Sequence, residues 1–315
     1  MKMLVAGGAG FIGSHLIDAL LALGHSVVCA DSLCLGTEDM IRHCYGSPNF
    51  EFCRLDVCDI DKLNALFEKH SFQRVYHLAA NSDIQKGALD PSIDFHNTFL
   101  TTKTILESMR SYGVKELLFS STSAVYGDMP GLLREDAGGL APISYYGACK
   151  LASEAFISAF ASMNGLFANI LRFPNVVGPR LTHGVIFDFI AKLRRNPREL
   201  EILGDGSQDK PYLYVADLVE AILAMQYSQT LDIFNVGVET STTVSRIAGI
   251  VCEEMGLDGV QYKFTGGPIG WPGDVPRFRY DLSKIHSTEW EAKHNSDEAT
   301  RLAARASLTH SKGNA

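Results

Sequence analysis

The sequence lacks any apolar run long enough to cross a bilayer, which takes about 20 consecutive residues. It also lacks a basic balance: 28 Lys and Arg stand against 36 Asp and Glu, for a net charge of −8. That excludes the positive face through which proteins hold nucleic acid or anionic membrane. The 7 cysteines (29, 34, 44, 53, 58, 149 and 252) are odd in number and form no C-x-x-C pair. Such spacing supports neither a disulfide framework nor a zinc site. The 10 histidines form no ligand spacing either, and no metal is expected. The opening M-K-M-L-V-A-G-G is too short for the apolar core of a signal peptide. With the scattered thiols, it points to the cytoplasm.

What is present is ordinary for a globular chain: 315 residues, 46% hydrophobic and 20% charged. The first half alternates. Short apolar stretches at 2–6, 26–30, 50–55, 74–79, 114–120 and 167–173 read as strands. Helical periodicity fills 11–23, 59–70, 91–112 and 145–163 between them. Strand–helix alternation of this length predicts an α/β fold of Rossmann type, a doubly wound parallel sheet. The second half is less regular, with Gly/Pro-rich joints at 176–180, 204–208 and 266–273 and helical stretches near 185–195, 216–226 and 243–255. A final helix is expected after about 295. The expected division is 1–173 for a dinucleotide-binding domain. Residues 174–315 form mainly a smaller irregular α/β substrate lobe, with some segments returning to the sheet.

After the first strand comes G-G-A-G-F-I-G, with glycines at 7, 10 and 13. Gly7 permits a tight turn, Gly10 lets backbone approach a pyrophosphate, and Gly13 lets the helix pack on the sheet. The helix N-terminus then faces the phosphates. Asp31 closes the second strand, about 20 positions on, where a carboxylate accepts the adenosine ribose hydroxyls. It would repel the extra phosphate of NADP, so NAD is the expected cofactor. Arg42, the nearest arginine, lies well beyond the strand end. Asp56 and Val57 end the third strand, where adenine should lie. Ala79 and Ala80 are small enough to let backbone come close to the cofactor. Phe11, Ile12, Ser32, Leu33 and Leu78 complete these turns.

Residues 144–150 read S-Y-Y-G-A-C-K. Positions four apart share a helix face, so Tyr146 and Lys150 point together and Tyr145 does not. A lysine beside a phenol favours the phenolate, which makes Tyr146 a base near neutral pH. The run F-S-S-T-S-A-V-Y-G (119–127) should leave Ser120, Ser121 and Thr122 at the carboxyl edge of the sheet, where ligands bind in such folds.

Taken with H-L-A-A (77–80), R-F-P-N-V-V-G-P-R (172–180) and G-D-G-S-Q-D-K-P-Y-L-Y-V-A-D (204–217), these motifs resemble the extended short-chain dehydrogenase/reductase family. Within it they resemble the NAD-dependent nucleotide-sugar epimerases of the UDP-glucose/UDP-galactose 4-epimerase type. The resemblance runs over about residues 2–290. It implies that Tyr146 takes the proton of the sugar 4-hydroxyl, that Thr122 hydrogen-bonds the same oxygen, and that Lys150 holds the nicotinamide ribose. Oxidation gives a transient 4-keto sugar that turns over and takes the hydride back on its other face. The resemblance also implies that Asn97, Phe173 and Val176 line the cofactor site. Asn175, Val185, Leu203, Lys210 and Asp274 would line the nucleotide-sugar site. A homodimer is common in the family.

Three departures refine this. Related 4,6-dehydratases carry Asp-Glu directly after the active-site Thr, and sugar-nucleotide decarboxylases keep a Glu near it. Here Ser123-Ala124 follow, so no carboxylate is placed for elimination. The family usually has arginines at the positions of Lys210 and Trp271, gripping the diphosphate. Lysine keeps the charge and loses the bidentate fork, which leaves Arg180, Arg277 or Arg279 as substitutes. Phe278 falls where a bulky residue restricts the pocket to sugars without an N-acetyl group. The competing readings are a nucleotide-sugar dehydrogenase, dehydratase or reductase on the same fold, and a non-catalytic dinucleotide sensor. A sensor typically loses the Tyr/Lys pair, which this chain keeps.

Overall fold

A computed structural model describes residues 1–271 and 273–310. The chain divides into two compact units. The first comprises Met1–Gly127, Leu140–Arg172 and Ile222–Phe234; the second comprises Asp128–Gly139, Phe173–Ala221 and the chain from Asn235 onward.

The first unit is built on a seven-stranded sheet. Its strands are β1 (Lys2–Ala6), β2 (Ser26–Asp31), β3 (Phe50–Arg54), β4 (Arg74–His77), β5 (Glu116–Thr122), β6 (Phe167–Phe173) and β7 (Leu231–Asn235). The order is β7-β6-β5-β4-β1-β2-β3. Parallel register aligns Ala6 with Ala30 on one side and with His77 on the other. The chain therefore reverses direction across the sheet on either side of β1, and the ends of β1 and β4 bound the switch point where ligands bind in doubly wound sheets. Strands such as S-V-V-C-A-D are buried almost throughout, as parallel strands covered on both faces must be. Four helices alternate with the strands: α1 (Phe11–Ala22), α2 (Ile60–Lys69), α3 (Thr101–Tyr112) and α4 (Tyr145–Asn164). The core joins Leu4, Val28, Val75, Leu117 and Phe119 of the sheet to Leu63, Ile105 and Ile157 of the helices.

Helix ends follow local chemistry. The Ser144 hydroxyl accepts from the Gly147 amide at 3.1 Å and starts α4, while Gly165, at φ +61°, stops it. The helix expected over 91–112 is broken. A short turn, Pro91–Asp94, leads into a π-helical stretch, Phe95–Leu100, before α3 begins. The cause is a run of hydroxyls. Thr101 and Thr102 donate to the Thr98 carbonyl at 2.9 and 3.1 Å, and Ser153 of α4 reaches the same oxygen at 3.4 Å. Hydroxyls that bond back to preceding carbonyls compete with the regular ladder, and an inserted wide turn is the result.

The second unit packs helices Val185–Arg195, Val244–Met255 and Ser296–His310 around a core that includes Phe189, Leu193, Leu200, Ile247, Val251 and Ala303. Its sheets are small ladders. Asn175–Val177 runs parallel to Tyr212–Tyr214, Glu199–Ile202 runs parallel to Gln261–Phe264, and Asp209–Lys210 runs antiparallel to Thr242–Thr243. No helix among the described residues is long and apolar enough to cross a membrane.

Candidate active site

The glycine turn is shaped by close approach. A Cβ on Gly7, whose φ is +80°, would lie 2.6 Å from the Ala79 amide nitrogen; one on Gly13 would lie 2.3 Å from the Gly7 carbonyl oxygen. Gly7 thus lets the ends of β1 and β4 meet, and Gly13 seats α1 on the turn. Gly10 is the N-cap of α1 and offers no side-chain cap, and no acidic residue stands in the first turn. The helix-start amides and their partial positive charge are left for an anion. The structure therefore fits a dinucleotide pyrophosphate here.

Asp31 is buried at the end of β2. Its carboxylate accepts from the Ala9 amide at 3.0 Å and from the Leu33 amide at 2.8 Å. It ties the glycine turn to the end of β2, and burial holds its carboxyl above the usual range. Ser32 turns its hydroxyl back onto the Cys34 amide. Arg42 is nearer than its sequence position suggests. It shares a pocket wall with Leu33, Gly36 and Thr37, where it pairs with Asp39 at 2.7 Å. Asp56 accepts from the Cys58 amide at 2.9 Å and faces His96 at 3.5 Å. The Val57 carbonyl accepts from Thr104 at 2.7 Å. Leu78, Ala79 and Ala80 follow β4 and are half-buried, as are Phe11 and Ile12 beside Gly10. Asn97 lies in the π-helical stretch. Two groups of metal-ligand types invisible in the sequence spacing come together in space: Asp18, His43 and Cys44, and Asp56, Cys58 and His96. In the first, a 2.6 Å contact between His43 and Asp18 joins two of the three side chains directly.

Tyr146 and Lys150 do share a face of α4, and Thr122 at the end of β5 hydrogen-bonds Tyr146. Tyr145 is exposed. The Lys150 ammonium is buried; it donates to the Ser120 carbonyl at 2.5 Å and stands 4.5 Å from the Phe119 ring centroid and 6.0 Å from that of Tyr146. The glycine in Y-G-A-C-K is required. A Cβ on Gly147 would lie 2.6 Å from the Ala124 carbonyl oxygen, so only glycine lets α4 begin against the turn that follows Thr122.

The expectation that Lys150 acidifies Tyr146 is corrected. Burial pushes the Tyr146 phenol well above its ordinary range, the Thr122 hydrogen bond opposes this, and Asp94 adds to it. Burial also lowers Lys150 to about 7, with Glu154 working in the opposite direction. Desolvation is the first cause of each shift, and neither group acts measurably on the other. The Ser120 and Ser121 hydroxyls are also directed inward. Ser120 donates to the His77 carbonyl at 3.2 Å, and Ser121 donates to Glu154 at 2.5 Å. Of these three hydroxyls, that of Thr122 meets the Tyr146 phenol.

In the second unit, Lys210 and Asp274 form an ion pair, and the Lys210 ammonium stands 5.2 Å from the Trp271 ring centroid. The other Asp274 oxygen accepts from the Gly270 amide at 3.2 Å. Leu203 is near: a Cβ on Gly270 would be 3.9 Å from its Cβ. Asn175 and Val176 lie on the ladder opposite Tyr212 and Leu213, separated from Phe173 by one residue, and Val185 opens its helix. Of the substitute arginines, Arg279 is committed to Asp209 at 2.6 Å and to Ser241. Arg277 is exposed and donates to the Ser207 carbonyl at 3.3 Å. Arg180 adopts a left-handed φ of +65°. Phe278 is buried and packs edge-on against Tyr280 at 5.5 Å.

A glycine turn at the switch point of a doubly wound sheet, beside a Tyr–Lys–Thr trio, is the architecture of an enzyme that moves a hydride with a bound dinucleotide. The chain belongs to the NAD dependent epimerase/dehydratase family, an extended short-chain dehydrogenase/reductase family, whose profile matches residues 3–237. It is 34% identical over 261 residues to the UDP-glucose 4-epimerase of Mycolicibacterium smegmatis, covering 80% of this chain and 83% of that one. It superposes on the UDP-glucose 4-epimerase of Thermotoga maritima, solved with UDP-glucose, at TM-score 0.88 and 32% identity, over 98% of this chain and 99% of the other. The corresponding enzyme of Thermus thermophilus, solved with NAD, gives 0.87 and 32% over the same shares.

Proposed function

We propose that this protein is an NAD-dependent epimerase that inverts C4 of a UDP-linked hexose through a transient 4-keto sugar. The observation that carries the reading is the Thr122–Tyr146–Lys150 trio, with Ser123-Ala124 in place of carboxylates directly after Thr122. The trio can move a proton at one sugar oxygen, and no carboxylate directly follows Thr122 to eliminate at C5.

The chain's own residues act as follows. Tyr146, in its phenolate form, takes the proton of the 4-hydroxyl and returns it; burial opposes that form and the Thr122 hydrogen bond favours it. NAD, when bound, supplies a reversible hydride acceptor. Gly7, Gly10, Gly13 and the α1 amides hold its pyrophosphate, Asp31 its adenosine ribose, Asp56 and Val57 its adenine, and Lys150 the nicotinamide ribose. Ala79 and Ala80 leave it room, and Asn97, Phe173 and Val176 are the further residues the family pattern assigns to it. On the substrate side, Asn175, Val185, Leu203, Lys210 and Asp274 hold the nucleotide sugar. Residues 1–173 serve mainly the cofactor and 174–315 mainly the substrate. A cytoplasmic homodimer fits the seven free thiols and the exposed apolar side chains of Tyr112, Phe95 and Met163; light scattering on the purified protein tests the dimer.

The experiment is a proton NMR time course in heavy water without added cofactor, on UDP-glucose, UDP-galactose and their N-acetylated forms. A new C4 epimer without deuterium at C5 is the expected result. A persistent 4-keto product, or deuterium at C5, would replace epimerisation by oxidation or elimination.

A further inference from the structure

One buried charged cluster next to the trio has no part in the proton transfer just described. Glu154 lies on α4, four residues after Lys150. It receives Arg172 of β6 through both carboxylate oxygens, at 3.0 Å from Nε and 2.6 Å from Nη2. The side chains are 3% and 4% exposed, so both charges are out of water. Ser121 of β5 donates to the same carboxylate at 2.5 Å. Arg172 Nη1 donates to the Tyr126 hydroxyl at 2.9 Å, and its guanidinium carbon lies 4.8 Å from the Tyr126 ring centroid. Tyr126 closes the short turn Ser123–Tyr126 that starts at Thr122. One ionic cluster thus joins the residue before Thr122, the turn after it, the helix of Tyr146 and Lys150, and β6.

Burying an isolated charge is costly, and a buried pair adds little net stability over apolar residues of similar volume. Stability alone therefore gives no reason to keep this pair in a sheet core. We propose that Glu154 is a positioning residue for the reaction: clamped by Arg172 and Ser121, it fixes β5 against α4 and sets its carboxylate one helical turn from Lys150, where it favours the ammonium. The surroundings of Lys150 support this. Tyr146 and Cys149 neighbour it on α4, His77 stands on β4, and Asp94 acts on Tyr146 and Cys149 from the turn before α3. His77 is neutral by burial and offers no counter-charge. Glu154 is the carboxylate that acts on Lys150, and it opposes a desolvation that leaves the amine near 7.

The test is the double variant Glu154→Leu/Arg172→Met, which removes both charges at similar volume and so avoids a lone buried ion. Its thermal midpoint should stay close to that of the parent, and Glu154→Gln, which leaves Arg172 unpaired, should lower it. Lys150 is followed without turnover, through the pH dependence of its Cε resonance in lysine-labelled protein, assigned with Lys150→Arg. Glu154→Gln, which removes the carboxylate charge and keeps the guanidinium, should move that titration down by about one unit. Kinetics rest on the epimerase reading: kcat should fall about tenfold or more with KM nearly unchanged, and its alkaline limb should move to lower pH. A folded Glu154→Gln variant whose Lys150 titrates as in the parent overturns the proposal, whatever reaction the enzyme proves to catalyse. Loss of kcat with an unmoved titration reduces the cluster to a structural brace and overturns it equally. Absence of epimerase activity in the parent itself counts against the functional reading and leaves the titration to decide this one.

Discussion

The two units hold their charges differently. In the sheet unit, Glu154 and Arg172 are fully buried, fixed through several hydrogen bonds from three elements. In the other unit, Lys210 is 13% exposed, paired with one carboxylate, and beside an aromatic ring in a glycine-rich loop. The first arrangement has no slack: moving either ion strands a charge in the core. The second stands on a two-residue ladder and can rearrange at small cost. On the proposed function, the first arrangement would serve the chemistry and the second the substrate.

That contrast can be broken by experiment. Tyr146→Phe, in the rigid unit, should lower kcat by about 10²- to 10⁴-fold with the fold intact, as checked by steady-state kinetics and circular dichroism; substitutions at Lys210 should act chiefly on KM. A smaller effect concerns pH. Lys150 titrates near 7 in the folded protein and near 10.5 unfolded, so the native state binds fewer protons between those values. Stability should rise with pH through this window, and the cost of the buried ammonium should be fully present below it. Lys150→Met should therefore gain more at pH 6 than at pH 9, by about 2–3 kcal/mol, as measured by denaturant titration at the two values. Gly147→Ala should cost about 1–3 kcal/mol, because the new methyl meets the Ala124 carbonyl at 2.6 Å; a thermal midpoint unchanged from the parent would refute the close approach. The smallest effect sharpens the other side. Trp271→Arg should lower KM by about threefold to tenfold and leave kcat alone.

Much of the rigid unit was legible. The glycine turn, Asp31 and the Tyr/Lys spacing are local patterns, each fixed by a backbone or helix-face requirement. The break at Phe95–Leu100 was not, because it arises from threonine hydroxyls competing for one carbonyl that Ser153 of α4 also reaches. Glu154 carried a faint signal, an acid one turn beyond Lys150 on the same face, but its partner lies in another strand. The sign of the Tyr146 shift was misread for a related reason. A sequence displays which charges are neighbours and is silent on how much water each loses. Arg42 escaped in the same way: a chain distance says little about a loop that folds back.

The Lys210–Asp274 pair has a consequence for association in solution. A lone lysine on this ladder would present a monopole, and a diphosphate would be drawn to it across a Debye length of about 8 Å at physiological salt. A lysine already joined to a carboxylate presents a short dipole, whose field dies away within a few ångströms. Capture of a UDP-sugar should then be governed by encounter and fit, with on-rates near the neutral range and little dependence on ionic strength. Stopped-flow binding from low to high salt would reveal a nearly flat line, whereas a steep slope would mean that Asp274 lets go of the lysine before the ligand arrives.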